Sequence, residues 1–268
     1  MKRYFLGICA FVFISLQASS QIHVMGKVLS QEGTPVEYAS IKVDSLFFFS
    51  DLNGNFDLTI PHGHTSDMVF SHISYHSVKV PYSLYEKGKL TVHLTEKVEE
   101  LSAVTVSGLK GQEKRIASKG MKMPGDVSFR NIKNTVFETG PILSKKHDYQ
   151  VRDLEFKMVK CTYTTCTIRI IIYDVTDGKF APVLHEPLYI KFNDKNKNMD
   201  YVAKLKEDVR LLKKRKYYVG LAVVSTNGTG EIHFPAYIHR GYVHNLVTNK
   251  TRKCSATIGV SLIGMDIE

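Results

Sequence analysis

The sequence predicts an all-β protein built from two β-sandwich domains. Val, Ile, Thr, Tyr and Phe dominate most segments, and turn residues recur at short intervals between them, which is typical of strands joined by tight turns. A chain of 268 residues suits two small domains. Apolar residues make up 43% of the chain, an ordinary share for a globular protein, so both domains can bury a core.

The first 20 residues have the pattern of a secretory signal peptide. Met1-Lys2-Arg3 is basic, Tyr4 to Leu16 is apolar, and Ala18-Ser19-Ser20 offers small residues for cleavage. The apolar run is shorter than the roughly 20 residues of a membrane-spanning helix. We therefore expect residues 1–20 to be removed and the mature chain, with no transmembrane helix, to lie in the periplasm or at the outer-membrane surface.

Residues 22–107 have the alternation and the turns of a seven-stranded sandwich. The segment Asp51–Phe56 contains Asn53 and Gly54, which can supply the positive φ of a tight turn. It does not fit an EF-hand calcium loop, because position 12 counted from Asp51 is His62 rather than Glu. Alternation with polar neighbours predicts which side chains face inward. They are Val28, Val36, Ala39, Ile41, Phe56, Leu58, Ile60, Phe70, Tyr75 and Leu94.

The order of these segments resembles the carboxypeptidase regulatory-like domain, a transthyretin-like β-sandwich common in secreted proteins of Bacteroidetes-type bacteria. The resemblance is carried by Pro35–Val43, Asp51–Phe56 and Phe70–Tyr75, and it covers about a third of the chain. It implies a scaffold, and a scaffold does not define chemistry. Leu101–Gly108 also resembles the passage that joins this module to the plug of TonB-dependent outer-membrane transporters. The rest of the chain is too short for a plug and a 22-stranded barrel, so the resemblance implies an accessory role.

Residues 108–126 are predicted to form a basic linker, and residues 127–268 a second β-sandwich that is loosely similar to jelly-roll-like domains. The matching elements are Arg169–Tyr173, Pro182–Pro187 and Tyr217–Leu221. Tyr217–Val224 is continuously apolar, as expected for a buried strand. Further strands are predicted at Thr167–Tyr173, Leu188–Phe192, Gly241–Val247 and Ala256–Ile263. Met199–Lys216 fits an amphipathic helix and a loop followed by a strand equally well.

Charge is divided unevenly between the two predicted domains. Residues 22–107 contain six Lys and Arg against ten Asp and Glu, a net charge of −4, whereas residues 108–268 contain 28 against 16, a net charge of +12. This asymmetry indicates an acidic partner for the second domain or attraction between the domains. The candidate ligand-binding residues are Lys213, Lys214, Arg215, Lys216 and Tyr217, and the alternative interpretation is a solvated strand edge.

Motifs for metal binding and catalysis are missing from the sequence. His62 and His64 are weak metal candidates, but there is no His-Glu-x-x-His, Gly-x-Ser-x-Gly or phosphate-binding loop. We therefore expect no cofactor, no metal and no enzymatic activity. Cys161 and Cys166 either form a disulfide across a turn or are buried as small apolar residues; no role is assigned to Cys254.

These observations favour an exported, non-catalytic cell-envelope protein that acts in binding or assembly. Its expected partner is an anionic glycan, lipopolysaccharide or another envelope protein, and export argues against nucleic acid. One alternative is a hydrolase with a site in the second domain, for which Glu186 and Glu231 are the available carboxylates. The other is an accessory to a TonB-dependent outer-membrane transporter.

Overall fold

The structure is a computed structural model that describes residues 21–97, 113–117, 120–130, 136–184 and 186–267. The predicted signal peptide and the transporter-like passage Leu101–Gly108 lie outside the described residues. The described chain is almost entirely β-structure, which confirms the predicted fold class.

Residues 21–97 form a sandwich of seven strands. The three-stranded sheet has the order β4-β1-β7, in which β1 and β7 are parallel, and the four-stranded antiparallel sheet has the order β3-β2-β5-β6. One short helix, α1, lies between β6 and β7. The elements are β1 (Gln21–Ser30), β2 (Ser40–Val43), β3 (Leu46–Phe49), β4 (Asn55–Pro61), β5 (Met68–His72), β6 (Tyr75–Val80), α1 (Tyr82–Tyr85) and β7 (Lys89–Leu94).

The core of this first domain contains most of the side chains that the alternation selects, together with Val24, Val43, Met68, Val80, Tyr85 and Val92. Nine of the ten residues predicted to face inward are buried. The exception is Tyr75, which is half-buried at the edge of the core, where its ring packs against His72 at 5.4 Å between centroids. The Asp51 carboxylate accepts hydrogen bonds from the backbone N–H of Asn53 and Asn55, and Gly54 alone supplies the positive φ, at +74°. The segment is therefore a turn, as predicted.

The second domain is a large antiparallel sheet that folds over its own core. The main path of the sheet is β13-β12-β16-β10-β17-β11-β19-β8, and β14, β15, β18 and β9 attach to it at the sides. Its strands are β8 (Lys114–Ala117), β9 (Lys122–Arg130), β10 (Phe137–Ser144), β11 (Asp148–Cys161), β12 (Thr165–Asp174), β13 (Ala181–Pro182), β14 (Leu188–Phe192), β15 (Lys197–Leu211), β16 (Lys216–Asn227), β17 (Glu231–Asn245), β18 (Lys250–Ile258) and β19 (Val260–Ile267).

Strand β17 belongs to both layers of this sandwich. Its first half pairs with β9 and β11, and its second half pairs with β10 and β18. The register of β17 against β18 shifts between Ile238 and Gly241, where His239 and Arg240 form a bulge. A bulge bends a strand and increases its twist, which allows one strand to take part in both layers of a folded sheet.

Two sequence expectations for this region need correction. Most described residues of the predicted linker belong to strands of the second domain: β8 pairs with β19, and β9 pairs with β17. Of the two interpretations of Met199–Lys216, the helix is wrong. Residues 197–211 form β15, in which Leu205, Val209 and Leu211 face the core and Val202 faces solvent.

Candidate functional site

The two faces of the central strands of the second domain differ in chemistry. On β12 and β16, Ile168, Ile170, Val219 and Leu221 point into the sandwich core. The alternate residues point to the opposite face, which we call the outer face. It carries Glu138 on β10, Arg169 and Tyr173 on β12, Tyr218 on β16, and Tyr242 and His244 on β17.

A buried polar network lies on the outer face. Glu138 and His244 are register partners, and 2.8 Å separates Glu138 Oε1 from His244 Nδ1. The Tyr173 hydroxyl donates to Glu138 Oε2 at 3.3 Å, and a terminal guanidinium nitrogen of Arg169 lies 3.5 Å from the same oxygen. The Nε2 atom of His244 lies 2.8 Å from Asn249 Oδ1. Both ring nitrogens of His244 therefore have hydrogen-bond partners within the network.

The carboxylate of Glu138 affects the pKa of its neighbour His244. Burial lowers the pKa of His244, but the hydrogen bond and negative charge of Glu138, together with the hydrogen bond to Asn249, outweigh that effect and raise the pKa above its usual value. Phe180 stacks on the His244 ring with 4.5 Å between centroids, which shields the pair from water. The network therefore fixes β10, β12 and β17 relative to one another.

The first domain covers the Arg169 end of the outer face. The Arg169 guanidinium lies 5.6 Å from the ring centroid of Phe49, and Ile73 packs against the apolar residues around Tyr173. Tyr38 and Tyr189 pack with 4.6 Å between ring centroids. The contact area therefore combines aromatic packing with a cation–π pair, which suits a stable domain interface.

Two polar contacts add to this interface. The Lys42 ammonium donates to the Val247 carbonyl at 2.5 Å, and the Tyr189 hydroxyl lies 3.4 Å from His72 Nε2. Burial lowers the pKa of His72 to about 4, and the positive charges of Arg169 and Lys97 add to the effect. The His72 ring is therefore neutral at neutral pH.

The other end of the outer face is an open cleft, which we call the cationic cleft. It has a volume of about 1020 Å³ and crosses β16, β10, β17 and β18. Its basic side chains are Lys216, Arg240 and Lys253, and Ile142, Ile238 and Tyr242 give it an apolar floor. No carboxylate belongs to the described lining, and within the described chain no ion pair involves the three cations. Among the described residues, the positive charges of these three side chains are therefore not compensated by a carboxylate.

The backbone of β17 creates this cleft. The bulge at His239 and Arg240 turns both side chains toward the lining, and Gly241 then resumes pairing with Cys254 on β18. Gly120 lines the edge of the cleft beside Ile238. The N–H of Ile238 donates to the carbonyl of Met121, the residue that follows Gly120. A Cβ at Gly120 would lie 1.4 Å from the Ile238 carbonyl oxygen, so a larger residue would force this contact apart.

The structure places only one of the four basic residues predicted from sequence in the cationic cleft. Lys213, Lys214 and Arg215 lie in the turn between β15 and β16, with Lys214 at a φ of +63°. Arg215 is engaged by Asp174, with 2.9 Å between Nε and Oδ2. Of the four predicted cations, Lys216 belongs to the described lining of the cleft.

Tyr217 requires a correction. Its side chain is 1% exposed and belongs to the core of the second domain, and its hydroxyl accepts a hydrogen bond from the Leu212 N–H at 2.7 Å. Alternation along β16 turns Tyr217 inward while Lys216 and Tyr218 turn outward. Its ring is therefore unavailable to a ligand at the surface.

The weak metal candidates do not converge. His62 is exposed, and the Nδ1 atom of His64 lies 3.0 Å from Asp44 Oδ2. Among the residues that the structure describes, no group of three His, Cys, Asp or Glu side chains is placed to hold a metal ion. Cys161, Cys166 and Cys254 are free thiols, the first two of them buried, which matches their interpretation as small apolar residues.

The two carboxylates of the hydrolase alternative also lie apart. Glu186 pairs with Lys206 beside a second cleft of about 520 Å³ between the domains. Glu231 accepts from Lys160 at 2.8 Å, and this hydrogen bond, with one from His233, lowers the pKa of Glu231 to about 2. Glu231 is therefore held as a carboxylate by its neighbours, the opposite of what a general acid requires.

A family model for the CarboxypepD_reg-like domain matches residues 24–106. The N-terminal third is a carboxypeptidase regulatory-like domain. The family match agrees with the resemblance drawn from the turns and strands of this domain. The first domain, which covers part of the outer face, therefore has the scaffold of that family. In the described part of the chain, no helix has the length and apolar character needed to span a membrane.

Solved structures resemble the chain only remotely. A family two carbohydrate esterase from Cellvibrio japonicus has 14% identity and a TM-score of 0.24 over 58% of this chain and 35% of its own. Infectious bursal disease virus, Gx strain, has 10% identity and a TM-score of 0.28 over 92% of this chain and 62% of its own. The chain thus spans about a third of the esterase and less than two thirds of the viral protein. A comparison with curated proteins finds no match.

Sequence reasoning identified one of the three cations and missed the other two. Arg240 and Lys253 are distant from Lys216 in sequence, so no local pattern joins them. The available signal is the run Ile238-His239-Arg240-Gly241, where the alternation of β17 breaks. Such a break inside a strand indicates a bulge, and bulges often redirect side chains toward a site.

Proposed function

We propose that the chain is an exported, non-catalytic binding module of the cell envelope, and that its second domain binds an anionic ligand in the cationic cleft. One observation carries this proposal. Lys216, Arg240 and Lys253 line one open cleft whose described lining contains no carboxylate. Low-dielectric walls focus such a field and raise the local concentration of an anionic ligand. The signal-like pattern of residues 1–20 supports export.

The charge difference between the domains favours an external ligand over attraction within the chain. Between described residues, no hydrogen bond or ion pair joins the first domain to Lys213, Lys214, Arg215 or Lys216. The interface contains instead Lys42, a cation of the acidic domain, bonded to a backbone carbonyl. The basic surface of the second domain thus stays accessible beside the domain that covers the Arg169 end.

Heparin, a soluble polyanion, tests this proposal with the chain from Gln21 onward. The triple variant Lys216→Gln, Arg240→Gln and Lys253→Gln removes the three cations of the cleft. The control Lys191→Gln, Lys195→Gln and Lys197→Gln removes three exposed cations, on β14, in the turn that follows it and at the start of β15. Both variants lose the same net charge, so the comparison separates the cleft from general attraction.

Each cation near an anionic surface contributes about 1 kcal/mol, so the cleft variant should bind roughly a hundredfold more weakly. The control should change affinity less than threefold, and binding by the unchanged chain should weaken steeply with salt. Equal losses in the two variants, or no heparin binding by the unchanged chain, would refute the proposed site.

A further inference from the structure

The cationic cleft also has an exposed apolar lip. Met121 is 73% exposed and Ile238 is 47% exposed, and the two are adjacent because the Ile238 N–H donates to the Met121 carbonyl at 2.9 Å. Exposed large apolar side chains are usually scattered singly over a protein surface. Here two of them meet at the rim of the cleft that Lys216, Arg240 and Lys253 line.

The apolar surface continues from the lip into the cleft. Ile238 and Ile142 line it together with Tyr242, whose ring is supported from behind by Tyr218 at 5.7 Å and by Phe180 at 5.9 Å between centroids. Lys216, Arg240 and Lys253 stand around this floor. The cleft therefore offers a ligand two different surfaces, one cationic and one apolar.

A water-soluble anionic glycan would use only the cationic surface. Its hydroxyl groups would lie against Ile142 and Ile238 without hydrogen-bond partners there, and Met121 would stay in water. An anion that carries a hydrocarbon chain would use both surfaces, because burying each CH₂ group stabilises the complex. A volume of about 1020 Å³ also exceeds what a phosphate group alone would fill.

We infer that the ligand of the cationic cleft is an anionic lipid, with its phosphate on Lys216, Arg240 and Lys253 and its hydrocarbon on Ile142, Ile238 and the Met121 lip. This inference rests on the proposed function and narrows it from any anion to an amphipathic one. The combination of cations with a protruding apolar rim is the chemistry by which proteins bind the surface of an anionic bilayer.

Two sets of vesicles and one soluble probe test the inference. The vesicles consist of phosphatidylcholine alone or of phosphatidylcholine with one third phosphatidic acid, and the soluble probe is heparin. The lip variant carries Met121→Ser and Ile238→Ser. Its control carries Leu52→Ser and Leu84→Ser, which are 60% and 50% exposed on the first domain. Heparin binding by each variant also reports that the second domain has folded.

We expect the unchanged chain to bind the phosphatidic acid vesicles and not the neutral ones. The lip variant should lose at least tenfold in vesicle affinity while its heparin affinity stays within twofold, because only the lipid contacts the lip. The control should bind both probes as the unchanged chain does.

The contrary outcomes separate the inference from the proposed function. If heparin binds but the anionic vesicles do not, or if the lip variant loses nothing on vesicles, the lipid inference is wrong and the cleft is a site for soluble anions. If the unchanged chain does not bind heparin, the proposed function itself fails. Loss of heparin binding in a lip variant whose melting temperature matches that of the unchanged chain would also overturn the inference, because the lip would then contribute to the binding of any anion.

Discussion

Glu138 and His244 lie directly opposite each other on β10 and β17, buried on the outer face, with 2.8 Å between Oε1 and Nδ1. This pair stands where the sheet that carries the cationic cleft meets the area covered by the first domain. Gly220 makes room for the pair, because a Cβ there would lie 3.0 Å from the Glu138 carboxyl group. The pair joins β10 to β17. Through Glu138 it also contacts Arg169 on β12, which packs against Phe49 of the first domain.

Replacing Glu138 with Ala should destabilise the second domain by about 3–5 kcal/mol, because Arg169 would remain buried without its carboxylate. Urea unfolding of the full chain measures the change. Asp200→Asn, which removes the partner of Lys157 in a solvent-exposed ion pair, is the control and should cost less than about 1 kcal/mol. Equal small losses for the two variants would show that the Glu138 network does not hold the sheet.

His72 should make the domain interface sensitive to acid. Burial lowers its pKa in the folded chain to about 4, below the usual value of 6.5. The unfolded chain therefore takes up the proton first, so His72 contributes stability above about pH 6.5 that is lost as the pH falls toward 4. We expect His72→Leu to flatten the decline in melting temperature between these pH values.

Melting curves of the full chain at half-unit pH steps measure this dependence. His62→Leu replaces an exposed histidine of the same domain and serves as the control. A His72→Leu variant whose melting temperature declines as steeply as that of the control would contradict the assignment, because carboxylates elsewhere would then account for the whole effect.

Tyr189 should hold the domains together mainly through its ring. Tyr189→Ala removes the packing against Tyr38 and the hydroxyl near His72, whereas Tyr189→Phe removes the hydroxyl alone. Aromatic pairs contribute about 0.5–1.5 kcal/mol beyond the area they bury. We expect the Ala variant to unfold in two separate calorimetric transitions and the Phe variant to unfold like the unchanged chain. Identical traces for the Ala and Phe variants would assign the effect to the hydroxyl or to neither group.

Much of the fold could be predicted from local patterns. In the first domain, alternation selected nine buried residues correctly, because one face of each strand must be apolar to form a core. Tyr217–Val224 was identified as a buried strand from its continuous apolar run, and all eight of its residues are buried. Asp51–Phe56 was recognised as a turn from its Asn and Gly residues. These features depend on neighbours within a few residues of each other.

Met199–Lys216 and Tyr217 mark the limit of such reasoning. Val202, Leu205, Val209 and Leu212 have helical spacing, yet β11 supplies a strand partner for residues 197–211, and pairing decides the structure. Tyr217 stands next to Lys216 in sequence, but the pleat of β16 puts it in the core. The local sequence pattern specifies neither which strand will pair with residues 197–211 nor which face of β16 will be buried.

The sequence by itself determined the all-β class, the identity of the first domain and the excess of positive charge in the second, because alternation, turn residues and composition express these directly. The tertiary structure alone decided where that charge acts. Lys216, Arg240 and Lys253 come from three strands, and they meet because β17 bends at its bulge and pairs with β10 and β18. Convergence of distant residues depends on strand pairing across the whole domain, which no local spacing specifies.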